Sequence, residues 1–355
     1  MSRRCLYCSL LFLLILVFLP APAQADLRIA IWNVELSRQG PGLLVRDIVK
    51  GEDPQTAAIV TVLDALDADV ILLAGIDYDR ELVAARLLSD RLAKPYPHLF
   101  AVRPNTGIQT GLDLDGNGRT GDADDAQGWG HFAGYRGMVL LSRLSMDESR
   151  MRDFSGFLWA DLPDAMLYEG MSDEAKAIQR LSSTGHWEVP LILPSGGHLR
   201  ILAWHATPPA FSRPAGRNEN RNHDETAFWL ALLDGRLPFA RPESPFVLMG
   251  ISNRDPVDGD GHDRAVRSLL AHPLLRDPQP RGTHERNTAE QRGDAALDTA
   301  HFDRTGGLRA ALLLPSSELE IQESGVLWPN EDDPLWPVLQ AASRHFPVWT
   351  DVITP

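Results

Sequence analysis

The sequence predicts one large α/β domain. Short apolar runs typical of buried β-strands recur along the chain, and segments with apolar residues at helical spacing lie between some of them. No internal repeat breaks this alternation. The stretches 206–218 and 275–283 are rich in Pro and Gly, but strand-like runs continue on both sides of each, which favours loops over linkers. Roughly 330 residues follow the N-terminal leader, enough for a single core of this size.

The predicted elements follow one another along the chain without a long gap. Three stretches have the apolar spacing of helices: 54–66, 80–92 and 224–235. Eight runs are predicted to be strands: 27–34, 69–76, 136–143, 186–193, 199–207, 246–253, 308–315 and 346–352. Each strand end feeds a loop, and functional sites collect on such loops.

Residues 1–25 have the features of a secretory signal peptide. A start containing two arginines precedes the apolar run 10–19, and the small-x-small triplet 23–25 forms a cleavage site. The alternative is an uncleaved anchor, which the short apolar run disfavours. The sequence therefore predicts a leader followed by a mature domain, 26–355, that is periplasmic or secreted.

Composition excludes several classes of partner. Both cysteines, Cys5 and Cys8, lie in the leader, so the mature chain has no thiol for a disulfide or a metal site. The net charge is −14, and the three lysines form no basic run, which argues against a nucleic-acid partner. After the leader no stretch is apolar enough to span a bilayer, so no membrane partner is expected.

Six short motifs, in order, resemble those of the endonuclease/exonuclease/phosphatase superfamily. They are IAIWNVE, DADVILLAGID, ILAWHATPP, FVLMGISN, LRAALLLPS and SRHFPVWTDV. Further stretches resemble a secreted bacterial branch of it: NTGIQTGLDLDGNGR, HWEVP, RNENRNHDETAFW and ALDTAHF. The resemblance implies a four-layer αββα sandwich of two packed mixed sheets flanked by helices, with a pocket at one edge of the sheets.

The family holds one or two divalent cations, usually Mg²⁺, among carboxylates and hydrolyses phosphate esters. Four of its neutral site positions match this sequence, at Asn33, His205, Asn253 and His345. The acidic positions do not match. The metal-binding glutamate falls on Gly75, the water-activating aspartate on Ile251, the Asp-Tyr pair on Ala311 and Leu312, and the closing aspartate on Arg344.

These departures predict a degenerate hydrolytic centre. Mg²⁺ needs anionic oxygens to replace its water, and the matched positions carry no negative charge at neutral pH. Ile251 cannot accept a proton from water, so a general base worth about 10²–10⁴ in rate is also missing. Asp77 and Asp255 lie nearby in sequence but are not interpreted as replacements. Mg²⁺ binding is therefore doubtful.

Three functions remain open at this point. The leading one is a pseudoenzyme that binds a small anion or a phosphorylated compound. The others are an active metal-dependent phosphodiesterase or phosphatase with atypical ligands, and a structural or interaction module. For the binder, Arg344, Arg221 and His223 are the predicted ligand-binding residues, and His205 and His345 would add positive charge in mild acid.

Plainer interpretations accompany these residues. Asn33 and Asn253 are typical of turns at strand ends, and His205 and His345 could be core histidines. The polar run 217–225 could be a solvated loop with Asn222 or Asp224 as a helix N-cap, or the rim of an anion pocket.

The stretch DLDGNGRTGDAD, residues 113–124, has the ligand spacing of an EF-hand-type calcium loop. No helical pattern precedes it, so the loop would lack the two-helix hand, and the alternative is an acidic Gly-rich surface turn. The sequence favours structural Ca²⁺ here. The predicted ligands are Asp113, Asp115, Asn117, Arg119 through its carbonyl, and Asp124.

Overall fold

The computed structural model describes residues 25–284, 286 and 291–354. Two mixed β-sheets and seven helices make up the described part of the chain. The strands are β1 Ala25–Asn33, β2 Val70–Ile76, β3 His98–Phe100, β4 Gly137–Ser142, β5 Arg152–Asp153, β6 Gly185–Ile192, β7 His198–His205, β8 Phe246–Ile251, β9 Ala300–Phe302, β10 Gly306–Leu308, β11 Ala311–Pro315, β12 Glu320–Val326 and β13 Val348–Thr354. The helices are α1 Leu43–Lys50, α2 Pro54–Leu66, α3 Val83–Ser89, α4 Asp173–Ile178, α5 Arg217–Leu233, α6 Arg264–Leu270 and α7 Trp336–Ala342.

The first sheet has the strand order β12-β13-β1-β2-β4-β3, and the second has the order β11-β8-β7-β6-β5. Strands β9 and β10 form a separate two-stranded ribbon. Each large sheet has a parallel pair at its centre, β1 with β2 and β7 with β8, and antiparallel neighbours outside it. The carboxyl ends of the four parallel strands mark the edge at which the matched motif residues lie.

Two apolar cores explain the layers. In β7, Ile201 and Ala203 belong to the core between the two sheets, whereas Leu202 and Trp204 point to the other face and pack with α5 and α6. This alternation is the two-residue period of a strand with both faces buried. Helices α1, α2, α3 and α7 contribute to the core that covers the first sheet. The αββα sandwich implied by the resemblance is therefore confirmed.

Local sequence accounts well for the β1–α2–β2 region. The Asp53 side chain caps α2 by accepting a hydrogen bond from the Gln55 backbone N–H at 2.9 Å, and Pro54 occupies the first helical turn. All seven residues of β2 are buried. A continuous apolar run without alternation is what a strand covered on both faces requires.

All eight predicted strands and all three predicted helices are present. The largest boundary error concerns α5, which begins at Arg217 and not near 224, because its first two turns are polar although they are partly or fully buried. The strands that sequence patterns missed are short or polar. For example, β12 reads EIQESGV and lies at the edge of its sheet, where its polar side chains are exposed.

The predicted leader lies outside the described residues, apart from Ala25, whose backbone begins β1 opposite Thr354. Within the described ranges, no helix combines the length and the apolar character needed to cross a bilayer.

Candidate functional site

The matched motif positions meet at one edge of the two sheets. Asn33 ends β1, His205 ends β7, and His345 lies three residues before β13, which runs antiparallel to β1. In the second sheet, the backbone of Ile251 pairs with His205 on one side and with Ala311 on the other. The order of motifs in the sequence therefore did predict residues that come together in space.

Two neutral polar side chains, Asn33 and His345, are buried next to each other at this edge. The Asn33 Nδ2 atom lies 3.2 Å from His345 Nε2, so the amide donates and the ring nitrogen accepts. The ring proton of His345 is then on Nδ1. Like Nδ1 of His205, this atom is buried and has no hydrogen-bond partner in the part of the chain that the structure describes. These side chains can therefore supply neutral hydrogen-bond donors and acceptors, but no negative charge.

Burial keeps both histidines uncharged. Burial, together with the nearby His345 and Arg136, lowers the pKa of His205 to about 3, and burial lowers the pKa of His345 to about 4. Neither ring gains a proton between pH 8 and pH 6. The expectation that mild acid would make this edge more positive is therefore wrong for these two residues.

Gly75, at the position of the family's metal-binding glutamate, lies in a bulge of β2 with φ +72°. A Cβ atom built on it would lie 2.3 Å from Asn33 Oδ1, which already accepts a hydrogen bond from the Glu35 backbone N–H. Real Cβ atoms do not approach oxygen so closely. The backbone at this position is thus shaped for glycine.

The position of the water-activating aspartate is part of the core. Ile251 and Ala311 are buried and belong to the apolar layer between the sheets. Asn253 adopts φ +51°, donates through Nδ2 to the Ala206 carbonyl at 2.8 Å, and pairs its own N–H with the Ala310 carbonyl. These contacts give Asn253 the turn role that asparagine commonly has.

An ion pair that the sequence reasoning missed lies at the same edge. Arg344 Nε lies 3.1 Å and 3.2 Å from the two carboxylate oxygens of Glu35, its Nη2 donates to Oε1, and its backbone N–H donates to Oε2 at 3.0 Å. Ser343 Oγ donates to Oε2 at 3.2 Å. The expectation of a site without any carboxylate is corrected here, and so is that of a free Arg344.

The Glu35 carboxylate is ionised and forms an ion pair with Arg344. Burial by itself would raise the pKa of Glu35, but the hydrogen bond from Arg344 and nearby positive charge outweigh it and hold the pKa at about 2. The signal in the sequence was indirect. A lone arginine at a position where relatives have an acid needs an anionic partner nearby, and Glu35 is two residues after Asn33.

These donors do not fit the Mg²⁺ of the family. Both oxygens of Glu35 are bonded to Arg344 or Ser343, Asn33 Oδ1 is bonded to backbone, and Gly75 offers no oxygen from a side chain. Among the described residues, no group of three His, Asp or Glu at this edge has ligand atoms close enough together to hold an ion. Mg²⁺ takes an octahedron of oxygens, and this edge does not provide one.

The two nearby aspartates, which the sequence analysis did not interpret as replacement ligands, accept backbone hydrogen bonds. Asp77 accepts backbone hydrogen bonds from Arg38 at 2.7 Å and from Arg136 at 3.2 Å. Asp255 accepts three backbone hydrogen bonds, from Val257, Asp258 and Arg309. Carboxylates that accept backbone hydrogen bonds on both oxygens fasten the loops that carry the donors.

The polar run 217–225 is neither a solvated loop nor a ligand rim. Arg221 is buried and donates to the carbonyls of Leu181, Arg180 and Ser182 at 2.8–3.1 Å, and also to Gln127. Neither Asn222 nor Asp224 is an N-cap, because α5 begins earlier, after Gly216. The predicted ligand role of Arg221 is therefore replaced by a structural one.

His223 is also an interior residue. Its Nδ1 lies 2.9 Å from Asp224 Oδ1, and the other oxygen of Asp224 accepts hydrogen bonds from the Trp159 indole and the Met166 backbone. With His223 buried, the predicted ligand contact through this ring is not supported.

The acidic loop forms a compact carboxylate cluster. Ligand oxygens of Asp113, Asp115 and Asp125 lie within 4.8 Å of one another, so the thirteenth position of the loop joins the cluster in place of the predicted Asp124. Asp113 accepts backbone hydrogen bonds from Gly116, Asn117 and Gly118, and the Arg119 N–H donates to Asn117 Oδ1 at 2.8 Å. The Asp124 carbonyl instead accepts a hydrogen bond from Arg217 Nη1 at 3.0 Å.

Comparison with solved structures supports the fold. An endonuclease/exonuclease/phosphatase from Beutenbergia cavernae aligns over 92% of this chain and 71% of its own, with 18% identity and a TM-score of 0.52. The human Nocturnin catalytic domain aligns over 93% and 94%, with 13% identity and a TM-score of 0.52. Sphingomyelinase C from Streptomyces griseocarneus aligns over 92% and 99%, with 16% identity and a TM-score of 0.50.

No curated protein matches the sequence. A sequence model of the Endonuclease/Exonuclease/phosphatase family, however, matches residues 30–345, which include every motif position described above. With that match and the two-sheet sandwich, the chain belongs to the Endonuclease/Exonuclease/phosphatase family.

Proposed function

We propose that this protein is an exported, non-hydrolytic member of its family. The observation that carries the proposal is the Glu35–Arg344 ion pair beside Gly75, because a bound guanidinium and its counter-ion occupy the edge where relatives hold a cation among acids. Ile251 removes the water-activating base from the same edge. Fold alone does not determine function, and the side chains here do not support metal-assisted hydrolysis.

Within that proposal, a small anion or phosphorylated compound is the ligand that best fits the remaining exposed charge. The Arg344 side chain is 59% exposed although it pairs with Glu35, and Arg136 is exposed nearby. The planar guanidinium group of arginine can donate two parallel hydrogen bonds to a phosphate or a carboxylate. An anion at Arg344 must compete with Glu35, so binding there would be weak.

The purified mature protein is expected not to hydrolyse phosphodiesters with Mg²⁺ or Mn²⁺. A generic chromogenic diester, incubated with each metal over a range of pH, checks this. The Arg344→Ala variant is the matched test of the alternative with atypical ligands, because it frees the Glu35 carboxylate while leaving Gly75 and Ile251 in place.

We expect no turnover above background from either protein, since one freed carboxylate does not restore the metal set or the base. Metal-dependent turnover by the wild type, reproduced after expression in a different host, would overturn the proposal.

Millimolar Ca²⁺ is expected to raise the melting temperature, whereas Mg²⁺ is not. The carboxylates of Asp113, Asp115 and Asp125 repel one another, and extracellular calcium modules bind at about 10⁻⁴–10⁻³ M. Thermal unfolding with EDTA, Ca²⁺ or Mg²⁺ measures the effect. Asp115→Ala should abolish the gain.

Thr120→Ala is the matched control, because the exposed Thr120 lies in the same loop but outside the carboxylate cluster. It should keep most of the gain. If neither EDTA nor Ca²⁺ moves the melting curve of the wild type, the loop is an acidic turn and not a calcium site.

A further inference from the structure

An exposed tryptophan stands on a group of packed aromatic rings in the segment 128–136. The Trp129 side chain is 46% exposed, although large aromatic side chains are usually covered. Its ring centroid lies 4.8 Å from that of His131 and 5.8 Å from that of Tyr135. Both contacts are edge-to-face, at 65° and 66°, so neither of these rings stacks in parallel on the indole.

The backbone beneath Trp129 is packed too closely to move easily. A Cβ atom on Gly128 would lie 1.9 Å from the Ser183 carbonyl oxygen, and one on Gly107 would lie 2.0 Å from the Phe132 carbonyl oxygen. The Gly107 N–H donates to the Gly128 carbonyl at 2.8 Å. The closely packed backbone thus holds the exposed indole in place. Less conformational entropy is then lost when a ligand ring binds to it.

Arg136 contacts the same tyrosine ring. Its guanidinium carbon lies 5.3 Å from the centroid of the Tyr135 ring, and its Nε donates to Ser37 Oγ at 3.3 Å. Neither Nη atom of Arg136 bonds to any of the residues that the structure describes. Because the Trp129 ring lies 5.8 Å and the Arg136 guanidinium 5.3 Å from the Tyr135 centroid, the two groups are at most about 11 Å apart, a span that a ligand with both a ring and a phosphate can cover.

This group borders the edge where the family motifs meet. The Arg136 backbone N–H donates to Asp77, which follows β2, and its positive charge contributes to the lowered pKa of both His205 and His345. Among the described residues, the Arg136 side chain has no carboxylate partner, unlike that of Arg344. A local cation that remains available is notable in a chain whose net charge is −14.

We propose that Trp129 and Arg136 form a binding site for a small ring-bearing phosphate monoester. The ring stacks on the indole of Trp129, and the phosphate accepts hydrogen bonds from the free Nη donors of Arg136. The inference deepens the proposed function, because it moves the anion from the neutralised Arg344 to Arg136 and adds a ring to the ligand.

Calorimetric titration tests the site with three probes: inorganic phosphate, adenosine 5′-monophosphate and glucose 6-phosphate. Each is titrated into wild type, Trp129→Ala, Arg136→Gln and the control Val49→Ala, which removes an apolar side chain that is 65% exposed on α1. Phosphorus NMR of the same samples records any phosphate released from the two esters.

At least one ester should bind wild type about tenfold more tightly than inorganic phosphate, as base–aromatic stacking allows. Trp129→Ala should remove that advantage and leave inorganic phosphate unchanged, Arg136→Gln should weaken every probe, and Val49→Ala should behave as wild type. Whichever ester binds identifies a nucleobase or a sugar as the ring.

Two results would overturn the site: esters that bind no more tightly than inorganic phosphate, or a Trp129→Ala variant that binds them as wild type does. Release of phosphate with binding intact would instead count against the non-hydrolytic function.

Discussion

Ile251→Asp is expected to lower the free energy of unfolding by about 4 kcal/mol or more and to restore no hydrolysis. Ile251 is completely buried in the apolar layer between the sheets, and His205, opposite it in the next strand, is kept neutral by burial, so an aspartate there would be a buried charge without an ionised partner among the described residues. It would also leave a void where the isoleucine packed. Urea denaturation at pH 7 measures the loss.

Ile251→Val is the matched control, since it removes one methylene and adds no charge. It should cost about 1 kcal/mol. If the aspartate variant were as stable as the valine variant, the position would be open to water or to a cation. The interpretation that Ile251 is part of the apolar core would then fail.

Gly75→Glu is expected to be the second severely destabilising change, although it restores the family's own metal ligand. Two costs add. The residue has φ +72°, which disfavours any side chain, and its Cβ would lie 2.3 Å from Asn33 Oδ1. We expect a loss of about 3 kcal/mol or more, and displacement of Asn33 from His345. Thermal or urea unfolding gives the magnitude.

Alanine at two glycines separates the two costs. Gly170 has φ +82° with nothing near its Cβ position. Gly170→Ala should therefore lower the free energy of unfolding by about 1 kcal/mol, through backbone strain alone. Gly75→Ala should cost distinctly more. Equal losses for the two alanine variants would show that the bulge relaxes and that Gly75 could have carried an acid.

The fold was predictable because its strands are continuous apolar runs. β2 and β8 are buried along their whole length, and such runs leave few alternatives once several occur between helical segments. The edge location of Asn33, His205 and His345 followed from motif order. The polar β12 escaped because an exposed edge strand has no hydrophobic period to detect.

The details of the site depend on partners that are distant in sequence. Glu35 and Arg344 are separated by 309 residues, so no local pattern joins them. Arginine is usually exposed to solvent, but Arg221 is buried. This is possible because its guanidinium donates hydrogen bonds to the backbone carbonyls of a separate segment, 180–182. In the acidic loop, the choice of Asp125 over Asp124 depends on how the turn closes, which spacing alone does not determine.

The Glu35–Arg344 pair also changes how this edge responds to its surroundings. A metal ion at such a position exchanges with the medium, so its occupancy falls under chelation or scarcity and rises with supply. A guanidinium attached to the chain can be neither chelated nor diluted. The local charge therefore does not depend on metal supply, and under the proposed function this edge holds an internal ion pair where a hydrolytic relative depends on an exchangeable cation.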